Sequence, residues 1–332
     1  MRRILLAVGA LVVIAVGLIW WLHGRGDHAP SKSKPTQVAG KHSTAPRPPA
    51  KPATVSGRVT RKSDGAGVAG AVVSLAGAEF GAEFSTVKKP TLVAITDDKG
   101  AWTAKDVPPG DYIIAATAKG LLPSARDKLT VASGEQRTGI DFALEAGGVA
   151  VRGTVSDVLG GPIASARVTA RRQELSLNRD AEFATLTGAD GTYELTLPAA
   201  EYRMAAAHDD YTRATKSIEL EDKPVTADFT LIPGGVVRGQ VIARDTGKPV
   251  PHAIVTVEPA HRSLQSNEVS AVSDDEGNFV VRGLSSGGVK IEARARGYSS
   301  TQPTTVQVGI GEDVDGVQVL VDGAFSISGR VV

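Results

Sequence analysis

Residues 4–22 form an apolar run with no charged or strongly polar side chain; it closes on Trp20 and Trp21 and follows Arg2 and Arg3. At ~1.5 Å rise per residue a helix of this length spans about 28 Å, close to the bilayer's hydrocarbon core, and paired Trp suits its interface. The pattern predicts an uncleaved signal-anchor transmembrane helix over residues 1–23. A cleaved signal peptide carries a shorter apolar region of ~7–15 residues and a small-x-small site, and Trp20-Trp21-Leu22-His23-Gly24-Arg25 offers none. The basic flank before the run, with Arg25 and Asp27 nearly cancelling after it, orients the N-terminus to the cytoplasm. The bulk of this single-pass protein is then periplasmic or extracellular.

Apolar positions almost vanish over residues 24–53, where six of the 18 prolines sit among lysines. Such a stretch cannot bury a core and reads as a disordered Pro/Lys-rich linker, about 90 Å long if fully extended at ~3.1 Å per residue. From residue 54 the pattern changes to short period-two alternation, broken by Gly, Pro and Asp turn signals every ~8–12 residues. No helical period appears in this part. The expected fold is all-β: tandem small antiparallel β-sandwiches, Ig-like or transthyretin-like, behind one N-terminal transmembrane helix and the linker.

The alternating part repeats itself with a period of roughly 90 residues. Each unit opens on a strand holding one glycine: Val55-Ser56-Gly57-Arg58-Val59, Val151-Arg152-Gly153-Thr154-Val155, Val237-Arg238-Gly239-Gln240-Val241, and again Ile327-Ser328-Gly329-Arg330-Val331. An acidic turn closed by glycine follows, with an aromatic two positions on: Asp97 to Trp102, Asp190 to Tyr193, Asp274 to Phe279. Asp bonds its own turn backbone and Gly supplies positive φ, which is hairpin chemistry. The units close on Asp141-Phe142-Ala143-Leu144, Asp228-Phe229-Thr230-Leu231 and Val317-Gln318-Val319-Leu320. The boundaries that follow are repeat 1 at 54–146, repeat 2 at 149–233 and repeat 3 at 236–322. Residues 324–332 read as the first strand of a fourth, incomplete repeat, and that reading favours a chain that continues. Joints of about four residues predict repeats that stack with little freedom between them.

The order Gly-x-Val, Gly-Ala-x-Val, Thr-Asp-x-x-Gly-x-aromatic, Pro-Pro-Gly-x-Tyr resembles the carboxypeptidase regulatory-like domain, a transthyretin-like sandwich grouped with the carbohydrate-binding-like folds. Repeat 1 carries the pattern through Gly57, Val59, Gly70, Ala71, Val73, Thr96, Asp97, Gly100, Trp102, Pro108, Pro109, Gly110 and Tyr112. Repeat 3 follows it, and repeat 2 departs where Pro198-Ala199-Ala200 replaces Pro-Pro-Gly. The resemblance implies an accessory module, so it implies architecture more than chemistry.

Charge adds a contrast between the two ends. Residues 1–53 hold eight basic side chains and one acid, while residues 54–332 hold 29 basic and 35 acidic ones, a net charge of −6. That argues against a nucleic-acid partner, whose phosphates want a basic folded face. The chain has no cysteine, which closes disulfide, thiolate-zinc, iron–sulfur and Cys-nucleophile chemistry.

Catalytic and cofactor motifs are weak. Gly283-Leu284-Ser285-Ser286-Gly287 fits G-x-S-x-G, but it occupies a turn of the repeat, no helical pattern follows, and no histidine comes after His261. Each acidic turn offers too few carboxylates for calcium, the six histidines show no ligand spacing, and His208-Asp209-Asp210 reads as a solvated turn. The reading therefore assigns no catalytic residue, metal or cofactor. The segments preceding the acidic turns differ most between repeats, and variable loops are where recognition concentrates. They supply the candidate ligand-binding residues Phe80, Phe84, Arg171, Arg172, His261 and Arg262. The expected function is a membrane-anchored exported spacer or binding scaffold. The alternatives are a carbohydrate-binding module protein and the accessory arm of a longer enzyme. The membrane through residues 4–22, polysaccharide or peptidoglycan, and other proteins are the candidate partners.

Overall fold

The computed structural model describes residues 51–77, 91–173, 181–261 and 269–324. The run at 4–22, most of the linker, Phe80, Phe84, Arg262 and residues 325–332 lie outside them. The described part is all-β and falls within one compact unit, Pro48–Val332.

Repeat 1 comprises β1 (Ala53–Arg61), β2 (Val72–Gly77), β3 (Leu92–Ile95), β4 (Ala101–Val107), β5 (Gly110–Ala118), β6 (Leu121–Val131), β7 (Gln136–Arg137) and β8 (Phe142–Ala146). Repeat 2 comprises β9 (Val149–Asp157), β10 (Arg167–Arg172), β11 (Glu182–Leu186), β12 (Thr192–Leu197), β13 (Ala200–His208), β14 (Tyr211–Leu220), β15 (Val225–Thr226) and β16 (Phe229–Leu231). Repeat 3 comprises β17 (Gly235–Ala243), β18 (Ile254–Pro259), β19 (Val269–Val272), β20 (Asn278–Leu284), β21 (Gly287–Ala295), β22 (Tyr298–Ser299), β23 (Thr304–Val308) and β24 (Asp313–Gly323).

Repeat 2 shows the plan most simply: a layer ordered β11-β10-β13-β14 faces a layer of β12, β9, β15 and β16. Repeats 1 and 3 repeat it, with β6–β8 and β22–β24 pairing at one edge to make the layers continuous. The first and last strands of each repeat run parallel, β1 with β8, β9 with β16 and β17 with β24. Between the layers lie three separate cores, the second containing Val151, Val155, Val168, Tyr193, Leu195, Tyr202, Met204 and Phe229. Among the described residues the three cores run from Ala53 to Val321, all within the compact unit Pro48–Val332, and their buried apolar surface drives its folding.

The signature glycine and aromatic have one explanation. In register, Gly57 faces Trp102, Gly153 faces Tyr193, and Gly239 faces Phe279. A Cβ on these glycines would run into the carbonyls of Ile140, Ala227 and Val317, the backbone just ahead of or within each closing strand. The ring therefore fills the space beside a close backbone crossing that admits no side chain. A second device also recurs. Thr96, Thr187 and Ser273 are buried, and each hydroxyl accepts from one backbone N–H (Ala71, Ala166, Ala253) and donates to one carbonyl (Val68, Ile163, Val250).

Candidate functional site

The acidic turns use their carboxylates on their own backbones. Asp97 Oδ1 accepts from the N–H groups of Lys99 and Ala101 at 2.9 and 2.8 Å, and Asp274 Oδ1 does the same for Glu276 and Asn278. Asp190 accepts from the backbone and hydroxyl of Thr192. The Ala101 and Lys99 N–H groups hold the Asp97 carboxyl below the usual carboxylate range, and the Thr192 hydroxyl and N–H do so for Asp190. Ser285 and Ser286 make the turn between β20 and β21, so the G-x-S-x-G match sits on a hairpin rather than on a strand-to-helix elbow.

The joints between repeats are built alike. The hairpin turn after β5 accepts at the Gly120 carbonyl from Gly147 N–H, and the Gly120 N–H donates to the Thr196 hydroxyl in repeat 2. At the next joint Gly234 N–H donates to the Asp210 carbonyl, and Arg282 of repeat 3 pairs with the Asp210 carboxylate at 3.5 Å. The segment His208-Asp209-Asp210 is an exposed turn, as its sequence reading expects, and Asp210 also contributes its carbonyl and carboxylate to the joint.

Repeats 1 and 2 share a second contact. The edge strand β11 leaves the carbonyls of Glu182 and Ala184 pointing away from β10, and they accept from Ser74 in β2 and Thr117 in β5, at 2.8 and 2.6 Å. Ser74, Thr117 and Ala184 are all buried. The outer face of repeat 1 thereby caps the unpaired edge of repeat 2. Sequence reasoning missed this, although β2 (VVSLAG) and the Tyr112 to Ala116 stretch are apolar on both faces, the mark of a strand buried on both sides.

An open cleft of about 510 Å³ lies at this joint, with Lys119, Arg152, Thr154, Tyr193, Glu194 and Asp228 among its lining. Glu194 lies 3.1 Å from Lys119 Nζ and 3.0 Å from Arg152 Nε. Burial raises the Glu194 carboxyl, but those two cations outweigh it and hold it below the ordinary range. Asp228 accepts from the N–H and hydroxyl of Thr154, and the Tyr193 hydroxyl donates to the Ala227 carbonyl. Burial, then the Asp228 charge, push the Tyr193 phenol well above its usual value. The cleft's ionisable groups are thus engaged with one another, in a pattern that holds two repeats together.

The candidate binding residues fall on three different repeats. Arg171 ends β10 and pairs with Glu182 across the hairpin at 2.9 Å; Arg172 is its neighbour. His261 is exposed just beyond β18. Seven signature aromatics, Trp102, Tyr112, Phe142, Tyr193, Tyr202, Phe229 and Phe279, are no more than 5% exposed, leaving none of them as a sugar-stacking platform.

Among proteins of curated function none matches the sequence. Solved structures similar to the chain include a streptococcal ancillary pilin, at 12% identity over 82% of this chain and 99% of that one, with a TM-score of 0.28. The major pilin subunit BcpA of Bacillus cereus is 13% identical over 82% and 100%, TM-score 0.23. The TIE protein of Bacillus anthracis is 16% identical over 82% of this chain, which spans about half of that protein (51%), TM-score 0.24. The sequence profile of the carboxypeptidase regulatory-like domain matches residues 54–145, 150–232 and 236–321, each one of the three sandwiches. With most of its length matched in this way, the chain belongs to the carboxypeptidase regulatory-like domain family and carries that domain three times in tandem.

Proposed function

We propose that this protein is a membrane-anchored, exported, non-catalytic scaffold, in which three coupled sandwiches are held away from the bilayer by the residue 24–53 linker. The observation that carries the reading is the joint between repeats 1 and 2. Buried hydroxyls are committed to bonding the next repeat, and the joint's charged groups neutralise one another. Such an arrangement transmits position along the chain and offers no free acid–base pair. The apolar run 4–22 with its basic flank supports the anchor, and the proline-rich linker supports the spacing. A carbohydrate module that stacks sugars on aromatic platforms is not supported, because the signature rings are core residues.

Residues 1–332, expressed in a bacterial host, are expected to sediment with membranes and resist a carbonate wash, while residues 24–332 are released as soluble protein. Release of residues 1–332 by carbonate would overturn the anchored reading.

A further inference from the structure

The face of repeat 1 that caps β11 has a counterpart in repeat 2 with opposite chemistry. On repeat 1 the outward positions of β2 and β5 include Val72, Ala76 and Ile113, all buried beneath the neighbouring repeat. The matching outward positions of β10 and β13 are Arg167, Arg171 and Arg203, and Arg213 joins them from β14. Among the described residues, the joint to repeat 3 is made through the β13–β14 turn rather than across this face. Arg171, Arg203 and Arg213 are exposed, and Arg167 is half-buried.

Two features mark the face as more than a solvated surface. Arg171 and Arg203 are direct register partners on adjacent strands, where like charges oppose pairing. Only Arg171 has an acid, Glu182; Arg167, Arg203 and Arg213 make no hydrogen bond or ion pair among the described residues. The crowding is felt at Arg213, whose guanidinium sits below the ordinary arginine range, lowered by burial and by Arg171, Arg167 and Arg203 against the opposing pull of Glu182. In a folded body of net charge −6, one sheet face thus gathers four guanidiniums, three of which make no hydrogen bond or ion pair among the described residues.

We infer that this face of repeat 2 is a binding surface for a linear acidic polysaccharide lying along β10 and β13. Arg167 and Arg171 are four residues apart on one strand, about 14 Å at ~3.4 Å per residue, so an extended polymer meets two rows of guanidiniums. Thr169 and Ala205, the small residues between them, are buried, so the exposed surface of this face is formed by the arginines themselves. Planar guanidinium forks suit carboxylates. None of the exposed large apolar residues lies on this face, which lacks the anchors of a protein interface or a membrane-inserting surface. No aromatic ring stands there for stacking bases, which sets nucleic acid apart. Glu201 and Glu219 share the row beyond Arg171 and Arg203, ending the basic field at that side.

The inference concerns the folded repeats alone and stands independently of the anchor. It is tested with residues 48–332, free of the basic linker, titrated with alginate, a polyuronate, in low and in 0.3 M salt. Unmodified protein should bind saturably, and Arg203→Gln/Arg213→Gln should weaken binding roughly tenfold or more and flatten the salt dependence. The pair Lys290→Gln/Arg294→Gln, on the matching face of repeat 3, should leave binding unchanged. Trp102 emission confirms that each variant is folded. The inference is overturned by absence of binding, by equal loss in both double variants, or by single-stranded DNA competing as well as alginate.

Discussion

Replacing Ser74 by Ala and Thr117 by Val together removes the two hydroxyls that bond the β11 edge while nearly preserving side-chain volume. The carbonyls of Glu182 and Ala184 would then face a buried site, where Ser74 and Thr117 are 1% and 3% exposed. An unsatisfied buried acceptor costs about 1–3 kcal/mol, so with two of them the joint should lose about 2–6 kcal/mol, a large share of a domain's usual stability of ~5–15 kcal/mol. Trp102 is the one tryptophan in residues 48–332, so its emission follows repeat 1 during urea unfolding, while far-ultraviolet circular dichroism follows all three repeats. In the unmodified protein repeats 1 and 2 should unfold as one cooperative unit. In the double variant the Trp102 transition should move to lower urea and lose roughly half its slope, because a smaller unit exposes less surface. An unchanged midpoint and slope would refute the coupling.

Further outcomes follow from the same structure. Gly57→Ala should destabilise repeat 1 by about 3 kcal/mol or more, because its Cβ meets the Ile140 carbonyl; the Trp102 urea midpoint reports it. Tyr193→Phe should cost about 1 kcal/mol in thermal melts through loss of the bond to Ala227, whereas Trp102→Phe should stay within about 1 kcal/mol, since the buried Trp102 Nε1 has no hydrogen-bond partner among the described residues. Burial pushes the Tyr112 phenol up to about 12, and Tyr193 is raised further. The folded state keeps these protons while the unfolded chain releases them near pH 10, so stability is intact below pH 10 and falls between about 10 and 12. Urea midpoints across pH 8–12 measure the fall, and Tyr112→Phe should flatten it.

The alternation and turn chemistry made the sandwiches legible before any coordinate. Gly57, Trp102 and the acidic turns recur because each solves a local problem: a backbone crossing, a space beside it, a hairpin. Local problems leave local signatures. The docking of β11 was harder to see, because it depends on which outward face a neighbouring repeat covers; its trace is the two-sided apolar pattern of β2 and β5. Arg171 was singled out as a loop-flanking residue, yet its company on the sheet, Arg167, Arg203 and Arg213, is scattered over three strands and becomes a cluster only through register. His261 lies on a different repeat from Arg171 and Arg172, and Phe80, Phe84 and Arg262 lie outside the described residues.

The measurement that bears most directly on the scaffold account is the side of the membrane on which the repeats reside. Alkaline phosphatase fused behind Ala324 in a bacterial host reports export, because it matures its disulfides only outside the reducing cytoplasm. The account predicts an active, membrane-bound fusion. An inactive fusion, with a fluorescent protein glowing at the same position, would place the repeats in the cytoplasm and contradict it.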